Sequence, residues 1–69
     1  MSYGVLLKEV RKKKKMRQVD LAAASGISQS NISKLEHGQL GPSLIDAIKL
    51  AQVLKVDIKY FITALKRGK

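Results

Sequence analysis

Four polar side chains on one face of a predicted helix carry the clearest chemistry in the sequence. At about 100° per residue, they group on the side opposite the apolar Ile32 and Leu35. They are Gln29, Ser30, Ser33 and Lys34. Gln can pair with adenine, Lys with guanine and Ser with either base, and the face holds no acid. We therefore expect this face to contact base edges in a DNA major groove, the alternative being a merely solvated surface.

A short glycine turn positions this helix. The preceding helix is predicted from Gln18 to Ser25 and ends at Gly26, as helices do where a left-handed cap is needed. Ser28 then caps the helix of the polar face, which runs to Glu36. Two helices joined by so short a turn cross steeply, and the small Ala22 lets them approach. Residues 18–36 therefore predict a helix-turn-helix.

Three further helices are predicted from apolar residues at spacings of three and four. They cover about residues 2–14, residues 44–54 after a Ser43 cap, and residues 58–65 after an Asp57 cap. No stretch alternates long enough to predict a strand. We expect an all-α, compact five-helix bundle forming one domain over residues 1–69, with a basic tail at 66–69. The apolar positions expected to share the core faces include Leu6, Leu7, Val10, Leu21, Ile27, Leu44, Ala47, Ile48, Leu50, Ala51, Leu54, Phe61 and Leu65.

The charge balance favours a polyanionic partner. The 69 residues carry 14 Lys and Arg against 5 Asp and Glu, which gives a formal net charge of +9. Such a surface attracts DNA, RNA or an anionic membrane, and charge alone does not choose among them. A chain of this length buries only about 60% of the surface of its unfolded form, so we expect no embedded active site beside the core.

Residue types that other kinds of site require are missing or isolated. Cysteine is absent, which excludes disulfides and cysteine-based metal sites. The single histidine, His37, has neither a second metal ligand nor a triad partner at suitable spacing. No apolar run approaches the ~20 residues of a membrane span, and the start lacks the layout of a signal peptide. We expect a cytoplasmic protein that is not an enzyme and uses no cofactor, metal, small-molecule ligand or membrane.

An ordered set of residues resembles a known family over about Leu6 to Ile62. The set comprises Gln18, Leu21, Ala22, Gly26, Ile27, Ser28, Ile32, Leu35, Glu36, Gly38, Pro42, Ser43, Ala51 and Leu54. It is similar to the Cro/repressor (Xre-type) helix-turn-helix family. The resemblance implies a lambda-repressor-like bundle of five helices that binds operator DNA as a homodimer.

The resemblance also implies roles for individual residues. Gln29, Ser30 and Lys34 stand where bases are typically contacted, and Ser33 is their neighbour. Arg11 and Glu36 match a structural ion pair between the first helix and the end of the third. The residues expected beside the phosphate backbone are Lys15, Arg17, Gln18, Asn31, His37 and Gln39.

The sequence departs from the family pattern at two of these positions. Arg17 stands where Ser or Thr usually caps the second helix, and Lys15 stands where Gly usually ends the first. Arginine cannot cap a helix in the manner of a hydroxyl. Both departures add positive charge beside the expected DNA backbone. Either they increase affinity for phosphate at a cost in stability, or they are chance substitutions.

The predicted function is a DNA-binding transcriptional repressor that reads a near-palindromic operator as a homodimer. We expect the dimer interface on the fifth helix and the loop before it, within a surplus of apolar residues in the C-terminal half. These residues are Ile45, Val53, Ile58, Tyr60, Ile62 and Leu65.

Two alternative functions remain. The first is an antitoxin or other protein-interaction module whose DNA binding is secondary, which the net positive charge disfavours. The second is a basic membrane-surface peptide, which the glycine breaks between the helices disfavour.

Overall fold

Helices account for most of the described chain, and all but the first begin or end at a residue suited to that position. The computed structural model describes residues 3–61. Its helices are α1 (Tyr3–Lys13), α2 (Gln18–Ser25), α3 (Gln29–Glu36) and α4 (Leu44–Leu54), and a fifth helix, α5, is described over residues 58–61. The predicted all-α fold is confirmed, and residues 3–61 contain no strand. Residues 62–65 of the predicted fifth helix and the tail at 66–69 lie outside the described residues.

Hydroxyl and glycine caps set the helix boundaries that the sequence predicts. The Ser28 and Ser43 hydroxyls each accept the backbone N–H three residues ahead, at 3.1 Å, and so satisfy a donor that the first helical turn leaves unpaired. Asp57 Oδ1 accepts the N–H of Lys59 at 2.9 Å and begins α5 in a similar way. Gly26 closes α2 with a φ of +77°, the left-handed conformation that glycine adopts without steric cost.

The core is formed where α1, α2, α3, α4 and the start of α5 meet. The rings of Tyr3 and Phe61 pack edge to face at 5.3 Å, which joins the first described residue to the last. The buried apolar residues are Tyr3, Leu6, Leu7, Val10, Leu21, Ile27, Ile32, Leu35, Ala47, Leu50, Ala51, Leu54 and Phe61. No helix in this part of the chain is long and apolar enough to cross a membrane.

Gly4 allows α1 to lie directly against the end of α3. A Cβ built on Gly4 would overlap the backbone carbonyl oxygen of Leu35 and would lie 2.7 Å from that of Glu36. Because both neighbours are backbone atoms, neither can rotate away. The absence of a side chain at Gly4 therefore fixes the distance between the two helices.

The apolar face predicted for α4 is wrong at two positions. Leu44 and Ile48 keep the helical spacing of the core residues, yet they are 60% and 38% exposed. Within the described residues, no element covers the first turn of α4 on that side. Ile45 is 65% exposed, in agreement with its prediction as surplus to the core, whereas Val53 is half-buried and packs against the core.

Candidate nucleic-acid interface

Helix α3 presents the four predicted base-contacting residues on one accessible face. Ile32 and Leu35 are buried and anchor the opposite face of the helix. Gln29, Ser30 and Lys34 are exposed and Ser33 is half-buried. The Ser28 cap fixes where the helix begins, and therefore which residues point outward. The structure brings these residues together as a hydrogen-bonding surface with one cation and no carboxylate.

A buried ion pair holds the end of α3 against α1. Arg11 Nε lies 2.6 Å from Glu36 Oε2 and Arg11 Nη2 lies 3.0 Å from Glu36 Oε1, in the bidentate geometry that favours guanidinium–carboxylate pairs. The two side chains are only 8% and 1% exposed. Arg11 Nη1 also donates to the carbonyl oxygen of Met16 at 2.8 Å. The guanidinium therefore links α1, the turn that follows it and α3.

Gln18 joins the same network from the first residue of α2. Its side-chain Nε2 donates to Glu36 Oε1 at 3.0 Å. Burial alone would raise the pKa of Glu36, but the hydrogen bonds from Arg11 and Gln18 hold that pKa below its ordinary value. The amide that is predicted to meet a phosphate is thus held in place by the buried carboxylate.

Arg17 does not present an unpaired cation. Its Nε and Nη2 each lie 3.0 Å from an oxygen of Asp20, and its backbone N–H donates to Asp20 Oδ2 at 2.9 Å. The backbone bond is one half of a capping box; the other half is missing because an arginine side chain has no acceptor. The side-chain hydrogen bond from Arg17 lowers the pKa of Asp20. Sequence reasoning missed Asp20, although an acid three residues after an N-cap position signals such a contact.

Lys15 occupies the conformation for which the family favours glycine. Its φ is +59°, in the left-handed region, and its N–H donates to the carbonyl oxygen of Lys12 at 2.9 Å. Residues 12–15 are all lysine and all exposed. The turn between α1 and α2 is therefore a strongly cationic surface next to the first residues of α2.

The loop after α3 folds back onto the last turn of that helix. His37 Nδ1 lies 2.7 Å from the carbonyl oxygen of Ser33, and the backbone N–H of Gln39 donates to the carbonyl oxygen of Lys34 at 2.9 Å. Gly38 makes this turn with a φ of +75°. His37, Gln39 and Asn31 are exposed beside the polar face of α3, where the phosphate backbone is expected.

An apolar groove lies on the surface of α4 and the start of α5. It measures about 550 Å³ and is lined by Leu44, Ile48, Ala51, Gln52, Val56 and Ile58. By contrast, residues 3–61 hold no group of three or more histidines or acids that could bind a metal ion. The described surface therefore offers a polar face on α3, a cationic turn and this apolar groove.

Comparisons of sequence and of structure both match this chain to helix-turn-helix regulators. A family model described as Helix-turn-helix matches residues 7–61. The chain is 41% identical over 63 residues to the HTH-type transcriptional regulator RghRB of Bacillus subtilis (strain 168). The aligned residues cover 90% of this chain and 45% of that protein. It is 33% identical over 55 residues to the ImmF control region 10 kDa protein of Bacillus phage phi105, covering 80% of this chain and 61% of that protein.

A solved structure matches most of the fold. It is the restriction-modification controller protein C.AhdI from Aeromonas hydrophila, with a TM-score of 0.83 and 34% identity. The match covers 86% of this chain and 89% of the controller protein. The chain spans less than half the length of RghRB, so the likeness concerns only the part of that regulator that aligns with this chain.

Proposed function

Because the chain belongs to the Xre-type helix-turn-helix family of DNA-binding transcriptional regulators, which are not enzymes, we propose that it is a sequence-specific repressor. In this proposal α3 enters the major groove and its polar face reads base edges. The protein would act in the cytoplasm by occupying an operator.

One observation carries the proposal: the exposed face of α3 holds only groups that base edges can bind. Gln29 can form two hydrogen bonds with adenine and Lys34 can donate to guanine, while Ser30 and Ser33 can adapt to either. An exposed acid on this face would repel phosphates, and α3 has none, because its single acid is the buried Glu36. Affinity would come mainly from phosphate contacts and sequence preference from this face.

The proposed phosphate contacts lie on both sides of α3. Lys15, Arg17 and Gln18 lie at the turn between α1 and α2 and the start of α2, whereas His37 and Gln39 follow the C-terminal end of α3. The exposed Asn31 adds an amide on α3 itself. Cations and amides flanking a groove-reading helix are the arrangement that fixes its register on the duplex.

We also infer a homodimer, because one short helix reads too few base pairs to choose a site in a genome. The proposed interface uses the exposed apolar residues of α4 together with the groove beside them, since α3 must stay free for DNA. Leu44 and Ile45 are more than half exposed. A second copy related by a two-fold axis would cover this surface and place two copies of α3 about 34 Å apart, one helical turn of DNA. This interface lies further onto α4 than the sequence predicts.

Selection of bound sequences from random duplexes tests the proposal. We expect enrichment of a near-palindromic site with half-site centres about 10 base pairs apart. Footprinting on that site should show protection of both half-sites. Enrichment of no sequence would contradict specific readout, and protection of one half-site at saturation would contradict the dimer while leaving DNA binding intact.

A further inference from the structure

Asp20 binds the side chain of Arg17, a residue that is expected to meet DNA phosphate. Building on the proposed function, we propose that the Asp20 carboxylate competes with DNA phosphate for Arg17 and so weakens binding to DNA of every sequence. Asp20 thereby sets how strongly the protein is retained on random DNA. Neither the family resemblance nor the predicted contact set includes this residue.

The geometry of the pair makes the competition direct. Asp20 uses both carboxylate oxygens on the Nε–Nη2 edge of the guanidinium, one of its two edges suited to a bidentate acceptor. The side chains are 79% and 39% exposed, so a phosphate can approach them. A phosphate must then either displace the carboxylate or bind beside it and be repelled by its charge. In both cases Arg17 contributes less attraction than an unpaired cation would.

Asp20 is the one acid of the helix-turn-helix whose side chain stays partly accessible. The only other acid in residues 18–36 is Glu36, which is buried and bound by Arg11 and Gln18. Its burial hides that charge from an approaching duplex. Within this unit, Asp20 is therefore the acid that can compete with phosphate for a cation.

The same carboxylate has a reason to be present in the folded protein. It lies in the first turn of α2, where the helix dipole favours negative charge, and it accepts the backbone N–H of Arg17. It thus supplies the half of the capping box that needs no acceptor in the Arg17 side chain. Stabilisation of α2 and weakened phosphate attraction follow from one side chain.

The test measures binding of a labelled random-sequence duplex by fluorescence anisotropy between 50 and 200 mM salt. Asp20→Asn keeps an oxygen that can accept the Arg17 N–H but removes the charge. We expect it to bind more tightly than the wild type, with a salt slope steeper by about 0.9, the value of one more neutralised phosphate. Its advantage over the wild type should therefore grow about 3.5-fold between 200 and 50 mM salt.

Two controls separate competition for Arg17 from a general effect of net charge. Asp46→Asn makes the same change in net charge at the equivalent first-turn position of α4 and should give a much smaller gain. In an Arg17→Ala background, Asp20→Asn should lose most of its effect. A gain no larger than that of Asp46→Asn, or one that persists without Arg17, would overturn the proposal.

A further measurement uses the wild type alone and does not depend on how the variants fold. The ¹⁵Nε resonance of Arg17 and the carboxyl ¹³C resonance of Asp20 should both shift as DNA is added, because a phosphate that displaces the carboxylate or binds beside it changes the surroundings of both groups. Unchanged resonances in a protein that binds DNA would overturn this inference alone. Failure of the folded wild type to bind at 50 mM salt would overturn the proposed function, and this inference with it.

Discussion

Glu36 is the residue on which three helices converge. It binds Arg11 of α1 and Gln18 of α2 from the last residue of α3. Removing either member of the Arg11–Glu36 pair leaves the other buried and without its partner, which can cost up to about 3–5 kcal/mol of unfolding free energy. We expect Arg11→Ala and Glu36→Gln to lower the melting temperature at pH 7 without changing which base is preferred. An unchanged melting temperature with altered base preference would reverse this assignment.

The same carboxylate makes stability depend on acid pH. Since its pKa in the folded chain lies below the ordinary value of 4.5, its contribution is fully present above that pH and is lost as pH falls through the folded pKa. Thermal melting between pH 6 and 2 should therefore show a steeper loss below pH 4.5 for the wild type than for Glu36→Gln. Glu9→Gln, at an exposed carboxylate of α1, is the matched control and should follow the wild type.

Tyr3 is a buried residue whose replacement should keep or raise stability rather than lower it. Its hydroxyl is buried with no hydrogen-bond partner among residues 3–61, and burial, with the nearby Asp46 carboxylate, raises the pKa of that hydroxyl. Tyr3→Phe keeps the edge-to-face contact with Phe61 and removes a buried polar group that costs about 1–3 kcal/mol when unpaired. We expect Tyr3→Phe to have an equal or higher melting temperature than the wild type. The control Tyr60→Phe, at an exposed tyrosine, should leave the melting temperature unchanged. A clear loss of stability in Tyr3→Phe would mean that the hydroxyl is paired.

Among the elements, the contact between α1 and α3 depends on Gly4. Adding a methyl group there would force two backbone segments apart, and overpacking of this kind costs typically about 1–3 kcal/mol. Chemical denaturation should show Gly4→Ala to be destabilised by at least that amount. Gly41→Ala is the control, because a Cβ there meets nothing within 4 Å. Equal stability of the two variants would show that α1 can move away without cost.

Helix positions could be predicted from the sequence because their signals are local. Ser28, Ser43 and Gly26 act on the turn in which they stand, and the observed boundaries follow them. The approach of α1 to α3 at Gly4 could not be predicted, since it depends on residues more than thirty positions apart. Nor could the exposure of Leu44, because helical spacing shows which residues share a face but not whether another element covers it.

The candidate site divides in the same way. The outward face of α3 follows from the helical period once Ile32 and Leu35 are known to be buried. The spacing of three between Arg17 and Asp20 permits their pairing, but whether the two side chains pair depends on their conformation. Sequence reasoning therefore predicts which residues can face DNA but not which of their charges are already neutralised.

For the whole molecule, the net charge of +9 should make DNA binding steeply dependent on salt. If about 6 phosphates are neutralised in each complex, log K should fall against log salt concentration with a slope near −5. Anisotropy titrations on random DNA give this slope directly. A flat response below 0.2 M salt would contradict a role in DNA binding.

The most direct test of the central claim, that α3 reads base sequence, compares three variants on a selected site and on random DNA. Gln29→Ala and Lys34→Ala should each weaken binding to the selected site by about 1–3 kcal/mol and relax preference at one position per half-site, with little effect on random DNA. Gln18→Ala should weaken binding to both DNAs about equally, once melting confirms that the variant is folded. If all three variants lose the same factor on both DNAs, α3 is not the reading helix.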